Sequence, residues 1–204
     1  LSEALVQYTK ALERSPNSVH AYLGRARARV MKEEFDEAIS DVTRGLNYLG
    51  GAKPPEPSED ADEGEEKKPI ELEVIPEEQK GELAAHLQLS RARARLEKGE
   101  TQKALDDALT AGKTLAKGWE PKAFEGLVLA RQGKVFLARD AYAAAISNAP
   151  QEAGPYSARA EGLLELGYPE LAFEDAKTAV SLDPRSLQAL VLRAAAQEEL
   201  LNFE

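Results

Sequence analysis

The sequence predicts an all-α chain, a right-handed α-solenoid built from helix-turn-helix repeats, on three observations. Ala4, Ala38, Ala104, Ala138 and Ala172 stand 34, 66, 34 and 34 residues apart, and 34 residues is the length of one two-helix repeat. Small residues recur in the same register. With Ala138 counted as position 20, position 8 reads Ala26, Ala92, Gly126, Ala160 and Ala194, and position 27 reads Ala11, Gly45, Ala111, Ala145 and Ala179. Such sites face a neighbouring helix at close range, where a larger side chain forces the backbones apart. Finally, the composition is 43% hydrophobic and 30% charged, alanine-rich rather than β-branched, which suits helices stacked in an array better than one large core.

Taken in order, residues 1 to 16 put Ala4, Tyr8 and Ala11 on one face and stop at Pro16, so they read as the second helix of a repeat. Val19 to Lys32 gives a first helix and Asp36 to Leu49 a second, with Glu33 in the turn where later repeats carry Gly99, Gly133 and Gly167. Residues 1–49 therefore form a first segment, a half repeat plus a whole one. Residues 50–81 interrupt the register, since the 66-residue gap is one period plus 32. GGAKPPEPSEDADEGEEKKP has the composition of a disordered acidic linker. Within the interruption IELEVIPEE is the single apolar island, and its alternation suits a short extended segment that Pro76 limits.

The second segment, 82–204, is predicted to continue the same solenoid. GELAAHLQLSRARARLEKG and TQKALDDALTAGKTLAKG form one helix pair. Trp119 opens the next repeat, which runs to Pro150. QEAGPYSARAEGLLELG and YPELAFEDAKTAVSLDP form another, with Pro169 in a first turn, where a missing N–H costs little. RSLQALVLRAAAQEELLNFE is a last first-helix, and Phe203 stands where a second would begin. Because the chain opens at Leu1 and stops at Glu204 within repeats, the expectation is a piece of a longer protein.

Gly126, Gly133, Ala138, Tyr142, Ala145 and Pro150 fall at positions 8, 15, 20, 24, 27 and 32. In these residues the chain resembles the tetratricopeptide repeat family, over all but the insertion. A second pattern comes from the residues themselves. Position 7 and position 23 pair arginine with aspartate: Arg25 with Asp41, Arg91 with Asp107, and Arg159 with Asp175, while the repeat with Glu125 has Ala141. Partly buried inter-helix pairs are expected, because guanidinium donors form a rigid fork that matches a carboxylate.

The resemblance implies a partner's peptide held on the concave face of the first helices, at positions 2, 5, 6, 9, 12 and 13. There the chain has His20, Leu23, Arg27, Val30 and Met31, then His86, Leu89, Arg93 and Leu96, then Phe124, Leu127 and Arg131. His20 and His86 share a position, as do Arg27 and Arg93, which makes an anion-holding patch for an acidic partner; the plainer reading is solvated helix charge. The groove reads as basic at its start, apolar around Phe124 and acidic at its end. The co-chaperone subfamily that clamps a terminal carboxylate uses amides at position 6, where this chain has Gly24, Ser90, Phe124, Ala158 and Leu192. That clamp is not expected.

The net charge of −10 includes −7 from residues 51–81, with eleven acidic and four basic side chains. This sign argues against nucleic-acid binding, as does the fact that alternate arginines in GRARAR and SRARAR point in different directions. Cysteine is absent, which removes disulfides, thiolate zinc sites and cysteine nucleophiles. Gly112-Lys113-Thr114 resembles the end of a phosphate-binding loop, but Asp107 stands where its first glycine belongs. No catalytic constellation, metal site or cofactor site is expected, nor any membrane span, and a cytoplasmic location is the expectation. The predicted function is a non-catalytic protein-interaction scaffold that binds a partner segment in its groove. The alternative is a co-chaperone or regulatory substrate-binding module whose catalytic or J-domain lies beyond Glu204. The insertion, 50–81, is expected either to be a tolerated loop, to fold back on Arg27 and Arg93 with help from Ile70, Leu72, Val74 and Ile75, or to serve as a linear motif for another protein.

Overall fold

The computed structural model describes residues 1–54 and 71–202. Among them are ten α-helices: α1 (Ser2–Arg14), α2 (Val19–Val30), α3 (Phe35–Leu49), α4 (Glu77–Glu97), α5 (Thr101–Thr114), α6 (Glu120–Arg131), α7 (Val135–Asn148), α8 (Ala153–Glu165), α9 (Pro169–Leu182) and α10 (Leu187–Asn202). Ile70 and Phe203, each given a role above, lie outside the described residues, as does the acidic stretch 55–70. The chain divides into two compact units, Leu1–Asp107 and Ala108–Glu204.

Helix α4 begins at Glu77, five residues ahead of the start expected at Glu82. Pro76 is its N-cap, where the lack of an N–H is harmless, and Glu77 and Glu78 sit in the first turn, where negative charge faces the positive end of the helix dipole. Lys80 Nζ adds an ion pair with Glu77 at 2.6 Å. The interruption of the repeat is therefore shorter than its composition suggests, and its last residues, 71–76, are held against the first unit as described below.

Each helix pair turns through one residue with positive φ. Gly99, Gly133 and Gly167 have φ of 79°, 69° and 75°, and Glu33 takes the same conformation at 63°. The reason is the hydrogen bonding of the turn. Glu34, Glu100, Lys134 and Tyr168 donate their amides to the carbonyls of Arg29, Arg95, Leu129 and Leu163 at 2.8–2.9 Å, the wide bond of a Schellman cap, which needs a left-handed residue just before it. Glu33 accepts the steric cost of its Cβ so that α2 and α3 meet as the other pairs do.

In the first unit, Val19, Leu23 and Ala26 of α2, Ala38 and Val42 of α3, and Leu83, Leu87 and Ala94 of α4 form one apolar cluster. A second gathers Leu12, Ala21 and Tyr22, with Tyr22 stacked on Tyr48 at 5.8 Å between ring centres. In the second unit, Leu129 and Ala130 pack on Ala138, Ala141 and Tyr142, and Ala160 packs on Ala172, Ala176 and Ala196. The small residues make room for aromatic rings. A Cβ at Gly126 would lie 2.8 Å from the Tyr142 ring, and one at Gly162 would lie 2.1 Å from Tyr142 Oη.

Candidate functional site

The helices place position 7 opposite position 23. Arg25 Nε donates to Asp41 Oδ2 at 2.8 Å and Nη2 to Oδ1 at 2.6 Å. Arg91 meets Asp107 at 2.9 and 2.7 Å, and Arg159 meets Asp175 at 2.6 and 2.7 Å, with the same two-pronged geometry. All three carboxylates are buried. Hydrogen bonding to the aspartates holds the Arg25 and Arg159 guanidiniums above their ordinary pKa, against the opposing pull of desolvation.

Two of these carboxylates hold a second arginine that sequence reasoning did not identify. Arg29 Nη1 reaches Asp41 Oδ2 at 2.6 Å, and Arg95 Nη1 reaches Asp107 Oδ2 at 2.7 Å. The signal was present, since residues four apart share a helix face and GRARAR and SRARAR place an arginine four residues after Arg25 and Arg91. The third pair has Leu163 at that position, and in the repeat without a pair Glu125 takes Lys122 Nζ at 2.7 Å. Two arginines of each run are thus directed at an aspartate; of the other two, Arg27 is exposed and Arg93 is half-buried.

On the first-helix face of the first unit, His20, Arg27 and Met31 are exposed, and Val30, His86, Leu89 and Arg93 are half-buried. Arg93 Nε lies 3.4 Å from Glu97, and His86 Nε2 lies 3.8 Å from Glu82. Leu23 and Leu96, expected in the groove, are buried. Leu23 is covered because Leu83 and Leu87 of α4 close on it, so it is a packing residue between consecutive first helices.

His20 is engaged although its side chain stays 61% exposed. Its Nδ1 stands 2.6 Å from Glu73 Oε1, and Glu73 Oε2 accepts the Val19 N–H at 2.5 Å. The Asn17 side chain donates to the Glu73 carbonyl and accepts from the Glu73 amide, both at 2.9 Å, and the Glu71 amide donates to the Arg14 carbonyl at 3.0 Å. Ile75 packs on the cluster of α2, α3 and α4. Glu73 meets His20 because Asn17 matches the main chain of residue 73 while the start of α2 offers donors to its carboxylate; the acidic stretch 55–70, expected to reach Arg27 and Arg93, lies outside the described residues. No motif in the sequence marked Asn17.

In the second unit Phe124 is half-buried and Leu127 is buried, so Leu127 supports the face without lining it. Arg131 is engaged, its Nε lying 2.9 and 3.0 Å from the two carboxylate oxygens of Glu165. These residues occupy position 13 of consecutive first helices, so the two charges neutralise each other. Trp119 covers Gly154, where a Cβ would fall 2.2 Å from the ring, and its Nε1 donates to Glu152 at 2.9 Å.

With this geometry the chain is similar to solved tetratricopeptide structures. TTC0263, a thermophilic TPR protein of Thermus thermophilus, shares 20% identity over 97% of this chain and 89% of that one, with a TM-score of 0.63. MamA shares 17% identity over 89% of this chain and 87% of its own, with a TM-score of 0.52. No family model matches the sequence, and no curated protein matches it. At such identities the likeness is one of fold, and it defines the class: an all-α protein of tetratricopeptide helix-turn-helix repeats, of the solenoid type. Among the described residues no helix is long and apolar enough to cross a membrane.

Proposed function

We propose that the chain is a non-catalytic scaffold that holds an acidic segment of a partner protein on the first-helix face of its first unit. The fold supports a protein-interaction role in general. The observation that carries the finer reading is that Arg27 of α2 and Met31 at its C-cap stand one helical turn apart. Arg27 is exposed and Met31 is 70% exposed, while the neighbouring Arg25 and Arg29 are committed to Asp41. A cation beside an adaptable thioether suits a peptide that carries carboxylate and apolar side chains together. Arg93 stands at the same repeat position on α4.

The test is fluorescence anisotropy with a panel of labelled peptides that alternate acidic and apolar residues, against neutral and basic controls. Binding of the acidic peptides, weakened about tenfold by Arg27→Glu with Arg93→Glu and by added salt, supports the reading. Equal binding of all peptides, unaffected by these changes, points instead to a substrate-holding module that takes unfolded polypeptide without regard to charge.

A further inference from the structure

We propose that Asn17, the Val19 amide and His20 form a receptor for an extended segment bearing a glutamate, that residues 71–76 are its resident occupant, and that an acidic partner segment must displace them to bind there. This rests on the reading above that the partner offers an extended acidic segment.

The receptor reads backbone and side chain separately. The Asn17 carboxamide makes a donor and an acceptor bond to the main chain of one residue, both at 2.9 Å. This is the exchange a neighbouring β-strand would make, and it is indifferent to side-chain identity. Specificity comes from the carboxylate. Glu73 takes the Val19 N–H at 2.5 Å and lies 2.6 Å from the His20 ring, while the N-cap Ser18 Oγ serves the Ala21 N–H. The donors at this end of α2 are thus divided between the helix's own cap and an incoming anion, which the helix dipole also favours.

The occupant is seated as an extended peptide with alternate anchors. Glu73 and Ile75 face inward, whereas Leu72 is 56% and Val74 is 88% exposed. It is also seated at the surface. Not one of residues 71–76 is buried, and among the described residues its ties to the first unit, apart from the contacts of Glu73 and the packing of Ile75, come down to one backbone–backbone hydrogen bond, from Glu71 to Arg14. A segment with few buried contacts opens locally at far lower free energy than the helices beneath it. Its C-terminal end passes through Pro76 directly into α4, so after release it stays close and competes at high effective concentration.

The experiment removes the occupant and supplies it from outside. In one variant residues 71–75 are replaced by Gly-Ser-Gly-Ser-Gly, and the probe is the labelled peptide ELEVIP, the sequence of residues 71–76. The expected result is that ELEVIP binds this variant at least about tenfold more tightly than it binds the unaltered chain. Binding should be lost when Asn17→Ala is added to the variant or when alanine replaces the second glutamate of the peptide. Equal affinity for both chains, or no binding to a variant that keeps its helical circular dichroism, overturns the proposal. If the variant does not fold, amide exchange in the unaltered chain decides. Exchange of the Glu73 amide well before the amides of α2 supports a displaceable occupant, and exchange only with global unfolding makes residues 71–76 a permanent staple. The proposed function fails separately: acidic peptides that bind the unaltered chain and the variant equally defeat the receptor while preserving the Arg27 reading, and acidic peptides that bind neither defeat the Arg27 reading while ELEVIP still decides the receptor.

Discussion

Arg29 Nη1 stands 2.6 Å from Asp41 Oδ2 although both oxygens of that carboxylate already accept from Arg25. One buried anion therefore serves two cations, and its loss takes the carboxylate from buried Arg25 while Arg29 keeps Glu34 at 4.0 Å. Asp41→Ala is expected to destabilise the chain by about 3–5 kcal/mol, the range for breaking a buried ion pair from one side. Asp175→Ala should cost less, because Asp175 holds one arginine and the Arg159 side chain is 32% exposed against 11% for Arg25. Urea unfolding of the two variants checks the order, and equal losses would refute it.

The alkaline range tests the same pairs. A guanidinium whose pKa is raised in the folded state contributes stability that is complete below its ordinary value and is lost only as pH climbs through the raised one. For Arg25 and Arg159 that window lies above the pH at which proteins are handled. Between about pH 7 and pH 10 these pairs should add no slope to the melting temperature. The Asp175→Ala variant and the unaltered chain should accordingly show parallel Tm curves over that interval, and converging curves would contradict the assignment.

Glu33 holds a left-handed conformation at φ 63° in a turn that three glycines make elsewhere. Glu33→Gly should stabilise the chain by about 1 kcal/mol, since the Cβ clash disappears and the cap geometry is retained. Gly133→Ala should do the reverse by a similar amount. Denaturant midpoints measure both; a destabilising Glu33→Gly would mean that the side chain does more in the turn than its backbone indicates.

A methyl group at Gly162 would sit 2.1 Å from Tyr142 Oη. Gly162→Ala should therefore lose about 1–3 kcal/mol through overpacking, and a smaller residue at 142 should recover part of it. A double-mutant cycle with Tyr142→Leu is the measurement, and additivity of the two losses would show that the ring and the glycine are uncoupled.

The helix pairs were legible because their cause is local and repeats. Position 8 alanines, left-handed turn residues and the 16-residue offset between Arg25 and Asp41 can all be read from spacing alone. The second arginine of each triad was equally readable, as a neighbour one helical turn along. The seat of residues 71–76 was not, since Glu73 is placed by Asn17, 56 residues earlier, in a contact that occurs once. Periodicity is silent about a contact with no copy. Leu23 and Leu127 read as groove residues because their repeat positions line that face in general. In this chain Leu83 and Leu87 of α4 close on Leu23, and Leu127 is buried as well.

Trp119 is the only tryptophan in the sequence, and it lies in the second unit with its ring over Gly154 and its Nε1 on Glu152. Its emission is consequently a private signal from the junction of α6 and α8, whereas helical circular dichroism sums over every repeat. Followed together through a denaturant titration, the two signals measure how far cooperativity extends along the array: one shared midpoint for a chain that melts as a block, two for units that let go in turn.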